Sequence, residues 1–222
     1  LPTIALVDDH LLLVETLQAV LRVRGVQTVC FGPELGAELL PSLIAAYPDL
    51  VLLDLDLCGF GDSTVLIRPL TAAGIRVLVV TGLSDRLRIA LALEQGAIGY
   101  QSKAAGFDAL LMATERALAH DEPMDRQDRQ SMFQELERKR ADKAKTLLPF
   151  ESLTDREQAT LLAVCDGLTV SQIAGAWMVS PATVRSHVQR VLGKLGVGSQ
   201  VQAVSMAMRS GWLALLTAQP SR

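Results

Sequence analysis

Five short apolar runs alternate with amphipathic stretches over the first 120 residues, and this alternation limits the possible fold more than any other feature. Ile4–Val7, Val26–Phe31, Leu50–Leu53, Ile75–Val80 and Ile98–Tyr100 read as strands. Leu11–Arg22, Leu35–Ala46, Ser63–Ala73, Asp85–Gln95 and Phe107–His120 carry helical patterning between them. Several strand runs are apolar throughout, which suits parallel strands covered on both faces. Gly25, Pro33, Pro48, Gly74 and Gly96 fall between elements, as turn residues should. Five βα units in this span predict a doubly wound α/β domain built on a five-stranded parallel sheet.

The composition agrees. Half of the 222 residues are apolar but only 4% are aromatic, so the core is aliphatic and a β-sandwich is disfavoured. No apolar run approaches the roughly 18–20 residues of a membrane span, and Ile4–Val7 stops at Asp8-Asp9, unlike a signal peptide. The sequence starts at Leu1 rather than Met, so a few residues are expected to precede it. Cys30, Cys58 and Cys165 are scattered, odd in number and fit no zinc spacing, which points to a reduced, cytoplasmic protein with no membrane partner.

The net charge of −3 is unevenly spread: residues 1–120 hold 8 basic and 13 acidic groups, 121–150 hold 7 of each, and 151–222 hold 6 and 4. The acidic front and mildly basic rear assign any polyanion to the rear. Residues 121–150 are dominated by charged side chains and Gln. Met132, Phe133, Leu136, Ala141 and Ala144 form a thin apolar stripe, so the segment reads as a charged helical linker that Pro149 ends. From Glu151 onward only short helices are expected. Thr154 with Glu157, and Thr169 with Gln172, have capping-box spacing, and Ser180-Pro181 supplies a third helix start. The organisation is thus 1–120, an α/β domain; 121–150, a linker; and 151–222, an all-α bundle.

The polar residues of the first half sit where strands end: Asp8 and Asp9 after the first, Asp54 after the third, Thr81 after the fourth and Lys103 just past the fifth. Strand carboxyl ends form the ligand crevice of an open parallel sheet, so these five residues should converge. Crowded carboxylates either share protons or bind a hard cation. Mg²⁺ suits carboxylate and water oxygens and tolerates phosphates. One carboxylate could then act as nucleophile on a phosphoryl group, with Lys103 and Thr81 taking charge on its oxygens.

The stretches Leu6-Val7-Asp8-Asp9-His10, Val51-Leu52-Leu53-Asp54-Leu55-Asp56, Val77-Leu78-Val79-Val80-Thr81-Gly82 and Gly96–Lys103 resemble the receiver domains of two-component response regulators. The resemblance implies that Asp54 is the phosphoacceptor. It also implies that Asp9, Asp54 and the Asp56 backbone carbonyl ligate Mg²⁺, with Asp8 acting through water. Thr81 and Lys103 would bind the phosphoryl group, and Tyr100 takes the place of the switch aromatic. Three departures stand out: Cys58 replaces the usual loop proline, Asp56 brings an additional carboxylate, and Ala104 follows Lys103 where many receivers have a cis proline. A cis bond before Ala would cost about 3 kcal/mol, so a trans bond is expected. Asp54-Leu55-Asp56 is also similar to the DxD pair of haloacid-dehalogenase-type phosphatases. In those enzymes, however, the pair belongs on the first strand, which here carries Asp8-Asp9.

The last module has its own pattern. From Ser180 onward Val184, Val188, Val191, Leu192 and Leu195 fall on one helical face, and Ala182, Arg185, Ser186 and Gln189 on the opposite one. A narrow face with small residues, one forked Arg and one amide suits entry into a DNA major groove. Thr183, Arg190 and Lys194 are placed to touch phosphates. Leu153–Glu157, Leu168–Ala174, Ser180–Val188, Lys194–Val197, Ala203-Val204 and Gly211-Trp212 resemble the four-helix helix-turn-helix of the LuxR/NarL class. That resemblance gives His187 a structural role and implies that the final helix, through Ala203, Val204 and Ala207, pairs protomers into a homodimer.

The expected function is that of a non-enzymatic, DNA-binding transcription regulator of the NarL/FixJ type, phosphorylated on Asp54 by a sensor histidine kinase. A second reading keeps DNA binding but uses the receiver only for dimerisation or ligand sensing. A third makes the last bundle a protein-contact module.

Overall fold

The structure is a computed structural model that describes residues 1–82 and 84–217. The chain divides into two compact units, Leu1–Glu137 and Arg138–Arg222.

The first unit is built on strands β1 (Thr3–Val7), β2 (Gln27–Phe31), β3 (Leu50–Leu53), β6 (Arg76–Thr81) and β7 (Gly99–Ser102). They form one sheet in the order β2-β1-β3-β6-β7, with every pair parallel. Helices α1 (Leu11–Val23), α2 (Leu39–Ala46), α3 (Ile67–Ala72) and α4 (Arg86–Glu94) supply the four crossovers, and α5 (Phe107–Leu118) follows the last strand. Because strand side chains alternate between faces, each strand feeds both cores. Ala5, Val7, Val51, Leu53, Val77 and Val79 pack with α2, α3 and α4. Ile4, Leu6, Leu50, Leu52, Leu78 and Val80 pack with α1 and α5. This two-sided burial explains the unbroken apolar runs.

Three local features differ from the sequence expectation. The second and third helices are each entered through a 3₁₀ segment, Pro33–Glu38 and Ser63–Leu66. A small antiparallel hairpin, β4 (Asp56–Leu57) with β5 (Gly61–Asp62), follows β3. The charged segment forms one helix, α6 (Arg126–Glu151), that runs through Pro149. Pro149 therefore does not end it. A proline two residues from the C-terminus loses one donor, and the chain leaves helical geometry only afterwards.

The apolar stripe at the start of α6 is core. Met132 is fully buried and Leu136 nearly so, in the cluster that holds Ile89, Ala92 and Leu93 of α4. Arg86 donates to Ser131 Oγ at 2.9 Å, and the Arg129 guanidinium to the Ile98 carbonyl. Gly99 is required here, since a Cβ on it would lie 2.7 Å from Pro123 Cγ.

The second unit contains α7 (Asp155–Cys165), α8 (Val170–Trp177), α9 (Pro181–Leu195), α10 (Gln200–Ser210) and a short α11 (Trp212–Thr217). Both expected capping boxes form, at Thr154/Glu157 and Thr169/Gln172, and Ser180 Oγ accepts from Thr183 N at 3.1 Å. Gly196, at φ 67°, ends α9 in the left-handed conformation that lacks a Cβ penalty. Val184, Val188, Val191, Leu192 and Leu195 are all buried. Phe150, at the end of α6, stacks on Trp212 with ring centroids 5.0 Å apart.

Candidate functional site

The acidic crevice lies at the carboxyl ends of β1, β3, β6 and β7. The strand order reverses between β1 and β3, which opens the crevice typical of such sheets. Asp54 follows β3 immediately, and its backbone N–H donates to the Val7 carbonyl at 2.9 Å. The buried Ser63 hydroxyl donates to the Asp54 carbonyl. These two bonds fix the backbone from which the carboxylate projects, and the side chain is only 3% exposed.

Ligand atoms of Asp8, Asp9, His10 and Asp54 all lie within 4.8 Å of one another. Lys103 Nζ reaches into this group, 2.6 Å from Asp54 Oδ2 and 2.7 Å from Asp8 Oδ2. Burial alone would lower the Lys103 pKa, but the hydrogen bonds and charges of Asp54 and Asp8 outweigh it and raise it. At Asp9 burial pushes the carboxyl up, and the opposing hydrogen bond from Cys58, together with the nearby His10, leaves it below its ordinary value. The Cys58 amide donates to Asp9 Oδ2 at 3.2 Å. Cys58, which unlike proline has a backbone N–H to donate, thus helps orient the first-strand carboxylate.

Thr81 is buried at the end of β6, beside Ser102 in the register with β7, and Tyr100 is half-buried against the α2–α4 core. The Asp56 amide donates to Asp54 Oδ1 at 3.2 Å, but the exposed Asp56 carboxylate stands outside the acidic group. No cis peptide occurs among the described residues, so Lys103–Ala104 is trans as expected. His10 and Ser63 were not singled out from sequence. His10 was legible as the neighbour of the acidic pair, whereas Ser63 lies nine residues from Asp54 and carries no motif.

The donor set fits Mg²⁺. Its oxygens are hard carboxylates, and Asp9 Oδ1 is buried and accepts no hydrogen bond, although His10 Nδ1 lies 2.9 Å away outside hydrogen-bonding geometry. An orphaned carboxylate oxygen in a crevice is what an oxygen-seeking cation would satisfy.

In the second unit Ala182, Thr183, Arg185, Ser186, Gln189 and Arg190 are all exposed on α9, opposite its buried face. Lys194, expected as a phosphate contact, is paired within its own unit. Its ammonium donates to Glu157 Oε2 at 2.6 Å and to the Ser152 carbonyl at 2.7 Å, fastening the end of α9 to the start of α7. The Lys194 side chain nonetheless keeps 36% of its surface exposed. Arg156 is likewise engaged, its guanidinium 3.8 Å from the Trp177 ring centroid. His187 Nδ1 is buried without a hydrogen-bond partner.

The small-residue face of α10 also changes role. Of the expected pairing residues, Ala203 and Ala207 are buried in their own bundle, whereas Val204 is partly exposed. The outward side of α10 carries Val201 and Met208.

Comparison with known proteins places both units. The family described as "Response regulator receiver domain" matches residues 4–115, and "Bacterial regulatory proteins, luxR family" matches residues 151–207. The Escherichia coli (strain K12) nitrate/nitrite response regulator protein NarL is 31% identical over 206 residues, covering 90% of this chain and 92% of that protein. A nitrate/nitrite response regulator protein homolog of Haemophilus influenzae is 30% identical over 202 residues, 90% of this chain and 93% of its own length. The Pseudomonas aeruginosa response regulator GacA is 28% identical, with 94% and 96% covered. Among solved structures, Salmonella enterica serovar Typhimurium RcsB, bound to promoter P1flhDC with phosphomimetic BeF3−, shares the fold. It has a TM-score of 0.51 at 18% identity, with 92% of this chain and 97% of that one covered. Receiver domains bind Mg²⁺ at an acidic pocket, and this chain has the acidic cluster. Among the described residues no helix is long and apolar enough to cross a membrane. The family consists of DNA-binding response regulators rather than enzymes, and with both of its domains present in order the chain belongs to the NarL/FixJ response regulators.

Proposed function

We propose that this chain is a phosphorylation-controlled transcription regulator, phosphorylated on Asp54 by a sensor histidine kinase and binding DNA through α9. The observation that carries the reading is Lys103 set 2.6 Å from the Asp54 carboxylate in a crevice shared with Asp8 and Asp9. Asp54 forms the new bond to phosphorus while the P–N bond to the kinase histidine breaks, and the imidazole leaves with a proton. Lys103 then turns from the carboxylates to the phosphoryl oxygens, with the Thr81 hydroxyl drawn toward them. Mg²⁺ held by Asp9, Asp54 and the Asp56 carbonyl, with Asp8 through water, supplies further charge neutralisation when bound. Tyr100, packed on the α4 side of the sheet, rotates as Thr81 moves and carries the change to that surface.

On the DNA side, Ala182, Arg185, Ser186 and Gln189 face base edges, while Thr183 and Arg190 contact phosphates. A homodimer on two half-sites completes the reading, with the outer side of α10 as the pairing surface. The test is incubation of the full chain with a small acyl phosphate and Mg²⁺. A phosphate-affinity gel should show a retarded band for wild type and none for Asp54→Asn. A gel shift on DNA selected from a random pool should strengthen on phosphorylation. Wild type without a retarded band, or a shift indifferent to phosphorylation, would overturn it.

A further inference from the structure

The DNA-binding unit has few basic groups to spare. Residues 151–222 contain six: Arg156, Arg185, Arg190, Lys194, Arg209 and Arg222. Two of these are engaged within the bundle, Lys194 with Glu157 and Arg156 over Trp177. Non-specific affinity for a duplex scales with the number of phosphates neutralised, so the bundle alone is a weak electrostatic partner for DNA.

The C-terminal half of α6 supplies what is missing. Charge along this helix is segregated at the boundary between the units. From Arg126 to Glu137 two basic groups face three acidic ones (Asp128, Glu135, Glu137), whereas from Arg138 to Glu151 five face two (Asp142, Glu151). A helix that only needed solvation would not require this polarity. Arg138, Lys139, Lys143 and Lys145 are all exposed. Leu147 and the buried Phe150 anchor the end of the same helix in the bundle core, so the basic turns are held by a rigid element. Lys139 and Lys143 are 11 and 7 residues before Phe150. At 3.6 residues per turn and 1.5 Å per residue they share its stripe, roughly 10–17 Å further along the axis. Both remain exposed to solvent.

We propose that the α6 segment from Arg138 to Lys145 is a second, sequence-independent DNA contact, a phosphate clamp that adds affinity to the α9 face without reading bases. This rests on the reading of α9 as the DNA-binding helix. Lys139 and Lys143, point charges on one helix stripe, match a row of phosphates, Lys145 adds a third charge about 140° round the same helix, and lysines lack the forked, groove-inserted geometry that reads base edges.

The test uses the full chain, a random-sequence DNA duplex as probe, and the triple variant K139Q/K143Q/K145Q beside Arg185→Ala. Thermal melting of the triple variant should match wild type, because all three side chains are exposed. Its affinity should fall, and its plot of log K against log salt should be shallower by about 2 to 3, close to 0.9 per lost phosphate contact. On DNA selected from a random pool its affinity should fall by the same factor, leaving the ratio of selected to random binding unchanged. Arg185→Ala should instead reduce that ratio. A triple variant with the wild-type salt slope would overturn the clamp while leaving the α9 reading intact. A wild-type chain that binds no duplex would overturn both.

Discussion

Lys103 Nζ bridges Asp54 Oδ2 at 2.6 Å and Asp8 Oδ2 at 2.7 Å, so a single ammonium ties the end of β3 to the end of β1 from a position just past β7. Lys103→Met should leave the phosphoacceptor in place but remove this tie and the charge that meets the phosphoryl oxygens. Phosphorylation by acyl phosphate is expected to slow by at least tenfold, about 1.4 kcal/mol or more of lost transition-state stabilisation. Time-resolved phosphate-affinity gels measure it, and an unchanged rate would assign Lys103 to structure alone.

Asp9 is the carboxylate with an orphaned buried oxygen. Asp9→Asn keeps the shape and the contact with the Cys58 amide but removes the charge. Mg²⁺ affinity, read by calorimetry on the full chain, should drop at least about tenfold, the lower end of what even outer-sphere changes cost. Equal affinities would place the cation elsewhere.

The Glu157 carboxyl is held down to about 2, first by the Lys194 hydrogen bond and then by the Thr154 amide, against the opposing pull of burial. A carboxylate with a lowered folded-state pKa stabilises the fold fully above its ordinary value, and that stabilisation is lost as pH falls. The C-terminal unit should therefore weaken as pH falls from about 4.5 toward about 2. Lys194→Met should cost about 2 kcal/mol at neutral pH, below the roughly 3–5 kcal/mol of a fully buried pair because Lys194 keeps 36% of its side chain exposed. It should also flatten the acid dependence. Chemical denaturation across pH, followed by Trp fluorescence from Trp177 and Trp212, reads both.

Met132 is fully buried in the receiver core although it lies beyond the fifth βα unit. Met132→Ala should destabilise the first unit by about 2–4 kcal/mol, leaving the melting of the second unit unchanged. An effect under about 0.5 kcal/mol would make the start of α6 a surface attachment.

Arg185 is exposed near the start of α9. Arg185→Ala should cost about 1–3 kcal/mol on selected DNA and relax specificity at one base position. Fluorescence anisotropy against single-base variants of the selected site checks this, and a uniform loss across all variants would make Arg185 a phosphate contact instead.

The acidic site was legible because its residues sit at strand ends, and a parallel sheet brings such ends together whatever lies between them. The capped starts of α7, α8 and α9 were legible because a Thr or Ser with its partner three residues on satisfies backbone donors locally. The parts that were not legible depend on distant neighbours. Nothing local marks Lys194 as an internal fastener, since the carboxylate that holds it lies 37 positions away. Ala203 and Ala207 have the pattern of a pairing face, and only the packing of α7 and α9 against α10 turns that face inward. The helix α6 reads as solvated because charged residues dominate its composition, and only the tertiary structure shows that Met132 and Leu136 of its thin stripe are buried in the cluster that holds α4.

By itself the sequence determined the α/β receiver followed by a helical bundle, the group of Asp8, Asp9, Asp54 and Lys103, and the two-faced pattern of α9. Period and capping are local physics, and strand ends converge by topology. The tertiary structure decided which charges are already spoken for. Lys194 and Arg156 are held within their own unit, and the Asp56 carboxylate stands outside the acidic group. The physical reason is that the partner a charge finds within the fold is set by packing rather than by position in the chain.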